Sequence, residues 1–143
     1  MLFKMGAYGD ERGYMSIKNV SGSTITTGLG VAIATLAASF DGTQAVIATA
    51  TTGSGFIGIA YKDIPANVVA NMQMYGAVGS VLISNTGSSL TINNGDALVP
   101  AAGGFFSGAP TYANSGFKYI IASSVPGGIS AQGYASGYIR GAM

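Results

Sequence analysis

The sequence predicts an all-β fold: an antiparallel β-sandwich or β-barrel, jelly-roll-like, with an extended N-terminal arm. Two observations carry that prediction. Between Gly55 and Pro100, short β-branched and apolar runs alternate with turn chemistry at Asp63-Ile64-Pro65-Ala66-Asn67, Asn85-Thr86-Gly87-Ser88-Ser89 and Asn93-Asn94-Gly95-Asp96. Closely spaced runs punctuated by Gly, Pro and Asn read as antiparallel strands joined by turns. The second observation is a faint self-similarity. A shift of 61 residues lays Phe56 on Phe117, Ile59 on Ile120, Ile64 on Val125, Pro65 on Pro126, Ala70 on Ala131 and Gly76 on Gly137. Upstream, Asn19 to Gly28 echoes Asn85 to Gly95 at an offset of 66 to 67. Low complexity inflates such matches, so they support the all-β reading and no more. The organisation expected is an arm over residues 1–18 and one β-rich domain over 19–143, with 19–84 and 85–143 as two weakly similar halves.

Residues 1–20 mix aromatic, Met, Gly and charged residues with no period of 3.6 or 2. Their first part reads as an extended arm, with a strand starting near Tyr14 or Met15. A frayed terminus is the plain alternative. A docking arm is the sharper one, because Leu2, Phe3, Met5 and Tyr8 are costly to leave in water; with Arg12 they are the candidate contacts to a partner. Next, Val31, Ile33 and Thr35 alternate with Ala32, Ala34 and Leu36, which suits a strand. Asp41-Gly42 marks a turn and Gln44 to Thr49 supplies the returning strand of a hairpin. A helix across Val31 to Ser39 stays open, since Ala and Leu are good helix formers.

Gly53-Ser54-Gly55-Phe56-Ile57-Gly58 matches G-x-G-x-x-G in letters only. A dinucleotide site needs a helix N-terminus after the glycines, whereas Phe56 to Tyr61 reads as a strand that Pro65 soon stops. Further on, Ala101 to Ser115 reads as a Gly, Ser and Pro loop carrying Phe105, Phe106 and Tyr112. Those aromatics either tuck into the core or pack on a neighbouring subunit, where aromatics are favoured. Gln132 to Arg140 reads as a final strand, with Tyr134, Ser136 and Tyr138 on one face and Ala135, Gly137 and Ile139 on the other.

Composition bounds the function. The 143 residues suffice for one domain with a core and fall short of two ordinary ones. Hydrophobic residues are 48% and charged ones only 8%, against about 25% in an average soluble domain. A monomer of this size needs a solvated, charged surface to stay dispersed, so so few charges imply an exterior largely buried against other molecules. Five of the charges, Lys4, Asp10, Glu11, Arg12 and Lys18, fall in the first eighteen residues. From Ile64 onward only Asp96, Lys118 and Arg140 remain.

A net charge of +1 offers no clustered basic surface for nucleic acid. With no Cys and no His, there is no disulfide framework or thiolate metal site, and the commonest metal ligand and general base are missing. No secretory signal is read at the N-terminus. The longest greasy run, Leu29 to Phe40, is too short to span a bilayer as a helix. Asp41, Asp63 and Asp96 sit in turns where Asp caps its own backbone. A glycosidase-like pair would need two carboxylates at a set separation, and no Ca²⁺-loop pattern occurs. No catalytic, cofactor-binding or metal-binding residue is therefore assigned. Met72 and Met74, on a strand face with Val68 and Ala70, read as core packing.

Three stretches in order carry a family resemblance: Ile57-Gly58-Ile59-Ala60-Tyr61-Lys62-Asp63-Ile64-Pro65-Ala66, then Met74-Tyr75-Gly76-Ala77-Val78, then Ile92-Asn93-Asn94-Gly95-Asp96-Ala97-Leu98-Val99. The series resembles the capsid decoration (cement) proteins of tailed bacteriophages. In that family a strand ending in GIA, an acidic DIPAG turn, a strand of the form xGxV and an IxxGDxL turn recur, and a late strand with a small-residue turn, here Ile120 to Ile129, closes the fold. The likeness runs from about Gly55 to the C-terminus. Lys62 stands where the family has an acidic residue, and Asn67 where it has Gly, though Asn also tolerates positive φ. The N-terminal segment is not a family feature.

The resemblance implies a non-enzymatic protein, made in the host cytoplasm, that trimerises with itself on the outer face of an icosahedral head. There it would clamp adjacent major capsid protein subunits at or near three-fold positions. The alternative is a trimeric receptor-binding or fibre-tip domain using exposed loops such as Ala101 to Ser115. A small β-sandwich hydrolase is a third reading, and no carboxylate spacing supports it.

Overall fold

The computed structural model describes residues 12–34, 44–49, 55–84, 91–101, 104–107, 119–125 and 132–140. The described residues form nine strands and no helix: β1 (Arg12–Asn19), β2 (Gly30–Ile33), β3 (Gln44–Ile47), β4 (Phe56–Ile59), β5 (Val69–Ser84), β6 (Ala97–Ala101), β7 (Gly104–Ser107), β8 (Tyr119–Ser124) and β9 (Gln132–Arg140). Most are bounded by Gly, Pro, Asn or Asp close to where the sequence places its turns, and β2 and β3 run on into Ala34 and Ala48-Thr49.

The sheet closes on itself twice. Strands β1, β3, β2, β4 and β5 pair in that order, and β5 returns to β1, making a five-strand barrel. Strands β5, β7, β6, β8 and β9 pair likewise, and β9 returns to β5. The sixteen-residue β5 is common to both rings. Its first part pairs with β1 from Val69 to Gly76, and its second with β9 from Gly76 to Ser84. At the hand-over Gly76 has φ +93°, a conformation that costs a side-chain-bearing residue about 1 kcal/mol, and the register shifts again between Val78 and Val81. Such irregularities bend a strand and increase its twist, which lets one strand serve two closures.

The rings repeat one pairing scheme. β1–β3 and β5–β7 are parallel, and every other pair within the two rings is antiparallel. The turn hydrogen bonds repeat as well. In ring one, Gly28 N donates to Ala60 O, Ala60 N to Leu29 O and Leu29 N to Thr26 O. In ring two, Gly95 N donates to Ala122 O, Ala122 N to Asp96 O and Asp96 N to Asn93 O. Residues 26, 28 and 29 thus correspond to 93, 95 and 96, a shift of 67. Gly28 and Gly95 share a left-handed backbone, with φ +92° and +88°.

Apolar residues fill both rings. Ile17, Ile25, Leu29, Val31, Ala45, Ala60, Ile64 and Met72 form one buried cluster. The larger one joins Val81, Ile83, Leu98, Phe105, Ile120 and Ile139 of ring two to Ala32, Ala48, Phe56 and Ile59 of ring one. Strand β2 is therefore buried on both faces, Val31 in the first cluster and Ala32 in the second. The small residues Gly30 and Ala48 leave room for the Phe105 ring, which meets Phe56 edge-on at 5.6 Å between centroids.

Several expectations move. Arg12 to Lys18, read as the end of the arm, belong to β1, because Met15 and Ile17 alternate with Tyr14, Ser16 and Lys18 and bury the inward set. The rest of the arm lies outside the described residues. Val31 and Ile47 are partners in the expected hairpin, and Gly30–Ile33 is strand where a helix stayed open; residues 35–40 lie outside the described ones. The segment read as a loop from Ala101 begins instead as a hairpin, since β6 and β7 pair from Leu98↔Ser107 to Ala101↔Gly104.

Candidate interaction surface

The candidate surface is the outside of the two rings, and its character follows from strand alternation. On β1 and β5 the outward residues pair as Ser16↔Asn71 and Lys18↔Val69, while the exposed Tyr14 stands opposite the buried Gln73. Ser16 Oγ donates to Asn71 Oδ1 at 2.8 Å. The Tyr61 ring stands edge-on to Tyr14 at 5.2 Å, and Lys62 Nζ lies 5.6 Å from the Tyr61 centroid. Beside them Val68 is exposed and Val69 is 65% exposed. On ring two Tyr134 is 57% exposed, while Tyr138 packs edge-on against Tyr75 at 6.3 Å. Ala135, Gly137 and Ile139 face inward, as their alternation predicts.

Only six described residues carry a formal charge: Arg12, Lys18, Lys62, Asp63, Asp96 and Arg140. Both acids serve turns. Asp63 Oδ1 accepts from Thr27 N at 2.8 Å and Thr27 Oγ1 at 2.9 Å. The Thr27 amide first, then its hydroxyl, hold the Asp63 carboxyl below the ordinary aspartate range, against a smaller opposing effect of desolvation. Asp63 therefore ties its turn to another turn instead of capping its own backbone. Asp96 Oδ2 accepts from Asn93 N at 2.8 Å, the expected local cap. Asp41 lies outside the described residues. Among the described residues no three His, Cys, Asp or Glu side chains group so as to hold a metal ion.

Two buried polar side chains are structural. Asn19 donates from Nδ2 to Ser23 O and Ile64 O, and its Oδ1 accepts from Ser21 N and Ser21 Oγ. Gln73 Nε2 donates to Tyr75 O and Ala77 O. Gly58 of the discarded glycine motif lies in β4 directly against the Gln73 backbone, so its missing side chain serves strand packing.

Leu2, Phe3, Met5 and Tyr8 lie outside the described residues, and so does Tyr112. Arg12 is an exposed residue of β1 paired with Gly76. Phe105 is fully buried between the rings and is unavailable to a partner, because Gly30, Ala48 and Phe56 enclose it. Phe106 sits in β7 opposite Val99. The residues that shape the described surface, Tyr14, Tyr61, Val69 and Tyr134, were missed as site residues. For Tyr14, Val69 and Tyr134 the signal was an aromatic or β-branched residue in the outward phase of an alternating strand, while Tyr61 lies in the bend after β4. Each strand has a paired neighbour on both sides, through a single residue pair at β4–β5 and at β5–β7, which leaves side-chain faces and turns as the main candidates for contact with other molecules. No protein-family model, no curated protein and no solved structure matches this chain.

Proposed function

We propose that this chain is a structural virion protein: a capsid decoration protein that forms a homotrimer on the outer surface of a phage head and clamps adjacent major capsid protein subunits. The observation that carries the reading is an exterior short of charge and dotted with exposed Tyr14, Tyr61, Val68, Val69 and Tyr134. Fully burying a large apolar side chain is worth about 1.5–3 kcal/mol relative to leaving it in water, and a neighbouring protein supplies the part of that gain these half-exposed side chains still lack. The backbone of the Ile-Pro-Ala turn adds support. Asn67 takes φ +62° where the resembling family has Gly, and Val68 N donates to Pro65 O at 3.3 Å, so the turn keeps the shape that a glycine would give it.

The mechanism is mass action. A protein that binds the assembled shell and not its loose subunits makes the shell harder to open, and many copies add their contacts. Residues 1–11 are proposed to reach a second capsid subunit; unchanged affinity of an arm-deleted chain for heads would remove that role. The fibre-tip alternative loses an anchor, because Phe105 of its binding loop is buried. Copy number in purified particles tests the proposal: hundreds of chains per head support decoration, and a handful refutes it.

A further inference from the structure

The two rings carry the same surfaces, and ring two covers one of them on ring one. Gly28 O accepts from Leu82 N at 3.0 Å. A side chain at Gly28 would begin 2.8 Å from Leu82 N and 3.2 Å from Tyr134 Cε1. Gly28, Leu29 and Ala32 are all buried there. Their counterparts by the shift of 67 are Gly95, Asp96 and Val99. Gly95 is exposed with nothing within 4 Å of its would-be side chain, and Val99 is half-buried. The covering face also has a counterpart. Leu82 pairs with Tyr134 as Lys18 pairs with Val69, and the next residues pair in parallel as Ile83↔Phe105 and Asn19↔Ala45. Each ring thus owns a turn face and a covering face, and the chain mates only one of each.

We infer that a second copy of this chain docks head to tail, setting its Lys18 and Val69 face on the Gly95 turn and Val99 of the first and repeating the contact between the rings. The occupant follows from continuity with an interface that the chain already makes. Charge agrees: Leu29 and Leu82 belong to one apolar cluster, and their counterparts are Asp96 and Lys18, of opposite sign. Such a heterologous contact closes into a ring or grows as a filament. This inference stands apart from decoration of a shell and survives the failure of that reading.

Two full-length variants test it by light scattering. Val69→Asp places a carboxylate opposite Asp96 and spoils the covering face. Val99→Lys opposes Lys18 and spoils the turn face. The expected result is a wild-type chain heavier than its 14.2 kDa monomer, either variant alone as a monomer, and their equimolar mixture as a species of twice the monomer mass through the one intact contact. If circular dichroism shows Val99→Lys unfolded, Gly95→Asn replaces it, since Asn accepts positive φ. A monomeric wild type, variants that keep the wild-type mass, or a mixture that stays monomeric each overturns the inference. So does loss of the wild-type mass on deleting residues 1–11, which would make the arm the occupant.

Discussion

Ring one and ring two share a pairing scheme and differ in what fills it. Where β1 of ring one carries Asn19, fully buried and making four hydrogen bonds, β5 of ring two carries the buried Ile83. Ala45 on β3 corresponds to Phe105 on β7, each pairing in parallel with those residues. The turn clasps are reciprocal: residue 63 accepts from the Thr27 amide in ring one, whereas in ring two Asn94 Oδ1 accepts from Val125 N at 2.7 Å. The backbone scheme therefore tolerates a polar peg or an apolar one, and a clasp from either side. What it holds constant is the left-handed glycine at the turn.

The largest expected effect comes from the ring that joins the two cores. Phe105→Ala is expected to cost about 3–5 kcal/mol, read by urea unfolding. A single transition with an unchanged slope would mean that the rings unfold together; two transitions would separate them. Transplanting ring two's choice into ring one is the next test. Asn19→Ile removes the acceptor of Ser21 N and one of the two donors to Ser23 O and to Ile64 O, which keep Ser21 Oγ and Ile25 N, and an expected cost of about 1–3 kcal/mol follows from leaving that amide without its partner. A neutral outcome would show that the peg is dispensable.

A smaller effect is expected at the Pro turn. Asn67→Ala forces an ordinary residue into φ +62° and is expected to cost about 1 kcal/mol, whereas Asn67→Gly is expected to be nearly neutral. The smallest effect distinguishes the clasps by pH. Because the folded Asp63 pKa is depressed, its contribution is present above the unfolded value, about 3.9, and is lost as pH falls through the lower folded value. The melting-temperature difference between wild type and Asp63→Ala should therefore shrink below about pH 4, while that for Asn94→Ala in ring two should not follow the same titration.

Much of this was legible beforehand. Alternation marked β9 residue by residue, and Asp63-Ile64-Pro65-Ala66-Asn67 marked a turn because Pro and Asn fix backbone angles locally. The echo of Asn19 to Gly28 in Asn85 to Gly95 pointed to the repeated turn. The sharing of β5 was not legible, since closure depends on partners far apart in sequence and period 2 is indifferent to which strand lies alongside. β1 was placed two or three residues late because Arg12 and Gly13 interrupt the apolar pattern. The strand around Phe105 escaped, since Gly and Ser beside it read as a loop, whereas its burial was one of the two readings of the loop aromatics and is what the fold shows.

The central claim is that the outer faces of both rings are covered by protein in the working state. Hydroxyl-radical footprinting tests it directly, comparing the isolated chain with the chain bound to the phage heads it is proposed to decorate. Reactivity of Tyr14, Tyr61 and Tyr134, all exposed in the isolated chain, should fall several-fold on the heads. Equal reactivity of the three tyrosines in both samples would contradict it.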